Sequence, residues 1–188
     1  MKDLILIGIQ GSGKGTQAKV LAERHHYQIF ETGKALRAMA TEDSDLGRQV
    51  KDITERGDLV PNEIVMDIVE DFVSKIEGPH PILFDGIPRS EPQRQSLEAL
   101  LERLGRNFHV IQLEVPEEIV IERMLKRAEI EGRPDDNMDT IKKRLQNFHT
   151  HTQPLLDLWK TAGKLDQVNG SQSVEEVDRE IEEKLATC

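Results

Sequence analysis

Residues 8 to 16 read Gly-Ile-Gln-Gly-Ser-Gly-Lys-Gly-Thr, between a short apolar run and a helix-forming one. A phosphate chain needs inward-pointing backbone N–H donors, no side chains in the way and a helix start behind it. Gly8, Gly11, Gly13 and Gly15 leave the backbone open around Ser12. The helix start adds partial positive charge. From there Lys14 reaches β- and γ-phosphates, and Thr16 meets phosphate or the water shell of Mg²⁺. A glycine-rich turn with an incidental lysine is the plainer explanation. The strand–loop–helix context argues against it. Such a P-loop serves GTPases, ATPases and kinases alike. A guanine-reading Asn/Thr-Lys-x-Asp run is missing, since Gly163-Lys164-Leu165-Asp166 lacks the leading Asn.

Six of the arginines fall into a pattern: Arg37, Arg89, Arg123, Arg127, Arg133 and Arg144. Arg123 and Arg127 are four apart and share a helix face. Arg133 and Arg144 are eleven apart, close to three helical turns. Arg89 follows Asp85-Gly86-Ile87-Pro88 at the end of the apolar run Ile82 to Phe84. Ligands bind beyond the carboxyl ends of such strands. A lone arginine is usually a solvated charge, but grouped ones suit the charge on a transferring phosphoryl. No nucleophilic side chain is needed. A phosphate acceptor has a second pKa of about 6 and is largely ionised at pH 7.

These residues need a scaffold. Leu4 to Ile9, Ile82 to Phe84 and Val110 to Val115 read as buried parallel strands, with weaker ones at Gln28 to Phe30 and Leu165 to Val168. Helical patterns lie between them, so the chain is expected to be α/β: a five-stranded parallel sheet in a three-layer α/β/α arrangement. One helix is expected from about Asp135 to Thr161. Ile141, Leu145, Phe148, Thr152, Leu155, Leu156 and Trp159 form its core stripe. Asp135 and Asp136 would sit in its first turn, Pro154 would kink it and Gly163 would stop it.

The chain has 188 residues, enough for one domain with a sizeable core. Its net charge of −10 argues against nucleic acid or an anionic membrane as main partner. No run is apolar enough to span a membrane. The N-terminal run is too short for a signal-peptide core, so a cytoplasmic location is expected. The single cysteine, Cys188, excludes an all-cysteine zinc site within one chain. His25-His26 has no matching ligand pair, and His149 and His151 point to different helix faces.

The chain resembles the adenylate kinase family over nearly its whole length. The matching segments are Gly8 to Gln17, Thr32-Gly33 with Leu36-Arg37, Gly57-Asp58-Leu59-Val60-Pro61, Asp85 to Arg89 with Gln93, Arg123 with Arg127, Gly132 to Asp136, and Lys143-Arg144-Leu145. The resemblance implies a monomer that converts MgATP and AMP into ADP, with small nucleotides as its partners. Gly11, Ser12, Gly13, Lys14, Gly15 and Thr16 would hold the ATP phosphates, with Arg123 and Arg127 on the lid side. Gln167 falls where the family uses a backbone carbonyl near the ATP base. The AMP site would comprise Thr32, Gly33, Arg37, Asp58, Leu59, Val60, Gly86, Ile87, Pro88, Arg89 and Gln93. Arg133 and Arg144 would bridge toward the transferring phosphate. Asp85 would orient water on Mg²⁺, with no protein ligand to the metal and no zinc. Lys14, Arg89, Arg127, Arg133, Arg144 and Asp85 would carry the catalysis.

A Gln amide offers a donor and an acceptor side by side, which suits an adenine edge. Pyrimidine monophosphate kinases usually carry Ala and Asn where this chain has Thr32 and Gln93, which argues against that alternative. The implied layout is a core of 1–30, 61–126 and 137–188, an AMP-binding arm of 31–60 and a short lid of 127–136. Lys34 departs from the pattern, since the family usually has Asp after Thr-Gly. It either weakens Mg²⁺ ordering or adds a phosphate contact, and it keeps open a nucleotide-binding, ATPase-like factor. Ala35, Gln10 and Ile87 are milder departures.

Overall fold

The computed structural model describes residues 2–132 and 136–187. Five strands form one parallel sheet: β1 (Asp3–Ile7), β2 (Gln28–Glu31), β3 (Ile82–Asp85), β4 (Phe108–Glu114) and β5 (Leu165–Asn169). Their order is β2-β3-β1-β4-β5, with β1 at the centre. Ile5 stands opposite Phe84 on one side and Val110 on the other. Successive side chains point to opposite faces, so an apolar run feeds two cores. Ile5, Ile7, Ile82, Phe84 and Val110 join one buried cluster. Leu4, Leu6, Leu83, Ile111 and Leu113 join another.

The second cluster is covered by α1 (Lys14–His25) and α9 (Val174–Leu185). Arg24 of α1 ties these helices together through Asp178 and Glu182, each at 2.8 Å. The other face carries α4 (Asn62–Ser74), α5 (Glu91–Arg103), α6 (Glu117–Glu131), α7 (Met138–Asn147) and α8 (Gln153–Thr161). Between β2 and α4 run α2 (Thr32–Ala40) and α3 (Asp45–Glu55).

All five expected strands are present, with two informative differences nearby. The first strand ends at Ile7 rather than Ile9, because Gly8 already turns into the loop. The helix expected from Asp135 to Thr161 is three pieces: α7, a π-helical turn at Phe148–Thr152, and α8. The whole expected stripe is buried. Pro154 lies in the first turn of α8, where its missing N–H is best tolerated. The wider π turn absorbs what would otherwise be a kink. Gly163 has φ +65° and ends the segment. Asp136 precedes the helix, and Asn137 is the cap, accepting from the Thr140 amide. Asp135 lies outside the described residues.

The segment after α3 is fastened to α7. The Asn147 amide donates to the Gly57 carbonyl at 2.9 Å, and Thr140 Oγ1 to the Glu55 carbonyl at 3.2 Å. Lys143 pairs with Asp58.

Candidate active site

The carboxyl ends of β1 and β3 build one wall. After β1 the loop turns through glycines and delivers Lys14 as the first residue of α1. Gly11 has φ +88°, and a Cβ there would lie 2.9 Å from Met124 Cγ. Only glycine satisfies both the dihedral and the contact with α6. The Lys14 ammonium folds back onto the loop, donating to the Gly8 and Ile9 carbonyls at 2.8 and 3.0 Å. Burial lowers its pKa to about 8, against the attraction of Asp85.

At the end of β3 the Asp85 carboxylate approaches Gly15 of the loop, whose Cβ would lie 3.4 Å from Asp85 Oδ2. Burial pushes the Asp85 carboxyl up, and Lys14 and Arg89 oppose that shift. Thr32 Oγ1 donates to the Asp85 carbonyl at 3.0 Å. Arg89 is held at three points. Its Nε donates to the Gly86 carbonyl at 2.8 Å, and its amide donates to Gln93 Oε1 at 2.8 Å. Its own carbonyl accepts from Thr152 Oγ1, also at 2.8 Å. Burial lowers the Arg89 guanidinium to about 10, helped by Arg144 and Arg37. It stays cationic at neutral pH.

The facing wall is made of side chains. Arg127 of α6 and Arg144 of α7 converge on Asp136, which is only 1% exposed. Arg127 makes two bonds to it, at 2.7 and 2.9 Å. Arg144 adds one at 2.8 Å. Arg123 donates to the Gly170 carbonyl at 3.1 Å.

Between the walls lies a cavity of about 570 Å³. It is lined by Gly11 to Thr16, Gly33, Lys34, Arg37, Asp85, Gly86, Arg89, Arg123, Arg127 and Arg144, with Gly170, Gln172 and Val174 at one end. Among the described residues, eight Lys or Arg face three carboxylates there, in a chain of net charge −10. A side pocket of about 50 Å³ shares Arg89 and Arg144 with it and adds Thr32, Asp58, Leu59, Val60 and Gln93. Pro88 lines a smaller recess with Phe148 and Thr152.

Most of the expected site residues therefore meet around one space. Two of the described ones do not. Ile87 is 1% exposed, a core residue that lines none of these cavities. Gln167 lies within β5, its amide donating to Gln112 Oε1 at 3.1 Å, and the cavity wall is instead the loop that follows. Arg133 lies outside the described residues. Gln93 differs in detail from expectation: its Oε1 already serves the Arg89 amide, which leaves mainly Nε2 for a ligand.

Asp136 and Thr152 were legible only in part. Thr152 is expected only as part of the core stripe, although a hydroxyl on an apolar stripe signals a buried polar partner. Asp136 was readable as an acid near arginines, but not as their shared partner.

The Asp85 carboxylate beside the loop and the Thr16 hydroxyl are hard oxygen donors, and they fit a hydrated Mg²⁺ held mainly through phosphates and water. Among the described residues no group of three or more His, Cys, Asp or Glu could hold a metal ion. No helix among them is long and apolar enough to cross a membrane.

A P-loop facing an arginine wall, with a second pocket opening from the same cavity, defines the class of P-loop nucleotide-binding α/β proteins with room for a second anionic ligand. The family model for adenylate kinase matches residues 6–164. An adenylate kinase from Caulobacter sp. (strain K31) is 42% identical, covering 98% of both chains. One from Leptospira biflexa serovar Patoc is 39% identical over 96% of this chain and 98% of its own. One from Parabacteroides distasonis is 36% identical over 98% of each. The chain belongs to the adenylate kinase family.

Proposed function

We propose that this cavity seats MgATP and AMP end to end and that the chain transfers the γ-phosphoryl group from one to the other, as an ATP:AMP phosphotransferase. The observation that carries the reading is the cation-rich space shared by the P-loop and the Arg89 wall, with the side pocket lined by Thr32, Val60 and Gln93 opening beside it.

The amides of Gly11 to Thr16 hold the ATP phosphates, and Lys14 leaves its own loop carbonyls for the β- and γ-oxygens. Arg123 and Arg127 bear on the donor. Arg37 and Arg89, with the backbone of Gly33 and Gly86, bear on the AMP phosphate. The adenine of AMP enters the side pocket beside Thr32, Val60 and Gln93. Charge neutralisation across the donor phosphates is the chemistry that bound Mg²⁺ supplies, near Thr16 and Asp85.

An AMP phosphate oxygen then forms a bond to the γ-phosphorus. The bond from that phosphorus to the β–γ bridging oxygen breaks, leaving ADP on both sides. The acceptor oxygen is already ionised, so no general base is required. Arg127 and Arg144 share themselves between Asp136 and the phosphates, which bring the same kind of negative oxygen. The arm of 31–60 and the short lid of 127–136 close over the nucleotides and exclude water, which suppresses hydrolysis. The reading includes a monomer working in the cytoplasm.

The test is product formation from MgATP with AMP, UMP, CMP, GMP or no acceptor, resolved by nucleotide chromatography. Rapid ADP formation with AMP alone is expected. A preference for UMP or CMP would overturn the acceptor assignment, and equal ADP without any acceptor would make the protein an ATPase.

A further inference from the structure

Lys34 occupies an electrostatically awkward place. It lies in the first turn of α2, which contains no acidic residue. A cation there opposes the helix dipole. Nor does a carboxylate compensate it: among the described residues Lys34 makes no ion pair, even though Glu31 lines the same cavity. The contrast with Arg127 and Arg144 is direct, since both of those are neutralised by Asp136. Lys34 is exposed and lines the cavity with Lys14, Thr16, Asp85 and Arg89. An unfavourably placed, unpaired cation on the rim of an anion site has one evident counter-charge, the ligand.

We propose that the Lys34 ammonium contacts non-bridging phosphate oxygens of the bound nucleotide and takes over part of the charge neutralisation otherwise supplied by the divalent cation. This rests on the phosphotransferase reading above. The consequence is a site that binds ATP with unusual tolerance for scarce Mg²⁺. A flexible four-carbon stem suits this role, because the ammonium is a point charge that needs no fixed planar geometry.

Lys34→Ala, Lys34→Arg and Lys34→Asp test it beside the wild type. Binding of ATP is measured by calorimetry with excess Mg²⁺ and again with EDTA, and ADP formation is followed across Mg²⁺ concentrations. Lys34→Ala is expected to weaken Mg²⁺-free ATP binding about fivefold, the scale of one solvent-facing charge contact, and to weaken MgATP binding less. Lys34→Asp should weaken Mg²⁺-free binding further, and Lys34→Ala should shift the half-maximal rate to higher Mg²⁺. Lys34→Arg should retain near-normal values. Circular dichroism should show the fold unchanged in all three. Unchanged Mg²⁺-free binding in Lys34→Ala and Lys34→Asp would overturn the proposal, and so would an equal loss with and without Mg²⁺. A wild type that makes no ADP from ATP and AMP would sink the phosphotransferase reading instead, while the binding data would still decide the role of Lys34.

Discussion

The two walls of the cavity solve the same electrostatic problem by different means. The P-loop wall is backbone, fixed by glycine dihedrals and by the buried strand beneath it, and its lysine rests on its own carbonyls. The arginine wall is side chains from separate helices, held together by one buried carboxylate. A cradle that must be right before the ligand arrives is built from main chain. Charges that must follow a moving phosphate are built from side chains with an exchangeable partner. Arg89 belongs to the first kind despite being a side chain, because the Gly86 carbonyl holds its guanidinium while Gln93 and Thr152 fix its backbone.

The largest effect should come from Arg89→Ala, which removes a pinned cation from the transfer path. Turnover is expected to fall by about a thousandfold or more, with the far-UV spectrum unchanged. A near-normal rate would remove Arg89 from the first group. Next, Asp136→Ala leaves Arg127 and Arg144 without their shared partner. The arginines can turn toward solvent, so unfolding by urea should show a loss of about 2–3 kcal/mol, below the usual range for breaking a buried pair. Saturating ATP and AMP should narrow that gap, since phosphates would replace the carboxylate. A gap that ligands leave untouched would break the distinction between the walls.

Gln93→Leu should raise the KM for AMP by roughly tenfold, the scale of one hydrogen bond to a base, while the KM for ATP stays nearly constant. Steady-state kinetics with each substrate varied will show the split. The smallest effect is in pH. Lys14 must be cationic to hold phosphate, and burial sets its pKa in the free protein to about 8. kcat/KM for ATP should therefore fall as pH rises through about 8. kcat should hold to higher pH, because bound phosphates favour the ammonium.

The strands and the P-loop were readable because each depends on local pattern: a run of apolar residues, or glycines before a lysine. The π-helical turn at Phe148–Thr152 was not. The apolar stripe continues straight through it, and a single inserted residue leaves no mark that a period near 3.6 can reveal. The partner of Arg127 and Arg144 was hidden for another reason. Which carboxylate pairs with which guanidinium is decided by how α6 and α7 approach, not by spacing along either. Gln93 shows the same limit at the scale of one atom, since only the fold reveals that its oxygen already accepts from Arg89.

The face of the sheet bearing Leu4, Leu6 and Leu83 depends on α1 and α9, and α9 follows every strand in the chain. As the protein emerges from the ribosome, α1 is made before β2 but its neighbour only after β5, so that face remains wet until synthesis has passed Leu185. The nucleotide loop, which leans on this same helix, is then completed late. A nascent or truncated chain stopped before Val174 would expose a broad greasy surface and would be the form most in need of a chaperone.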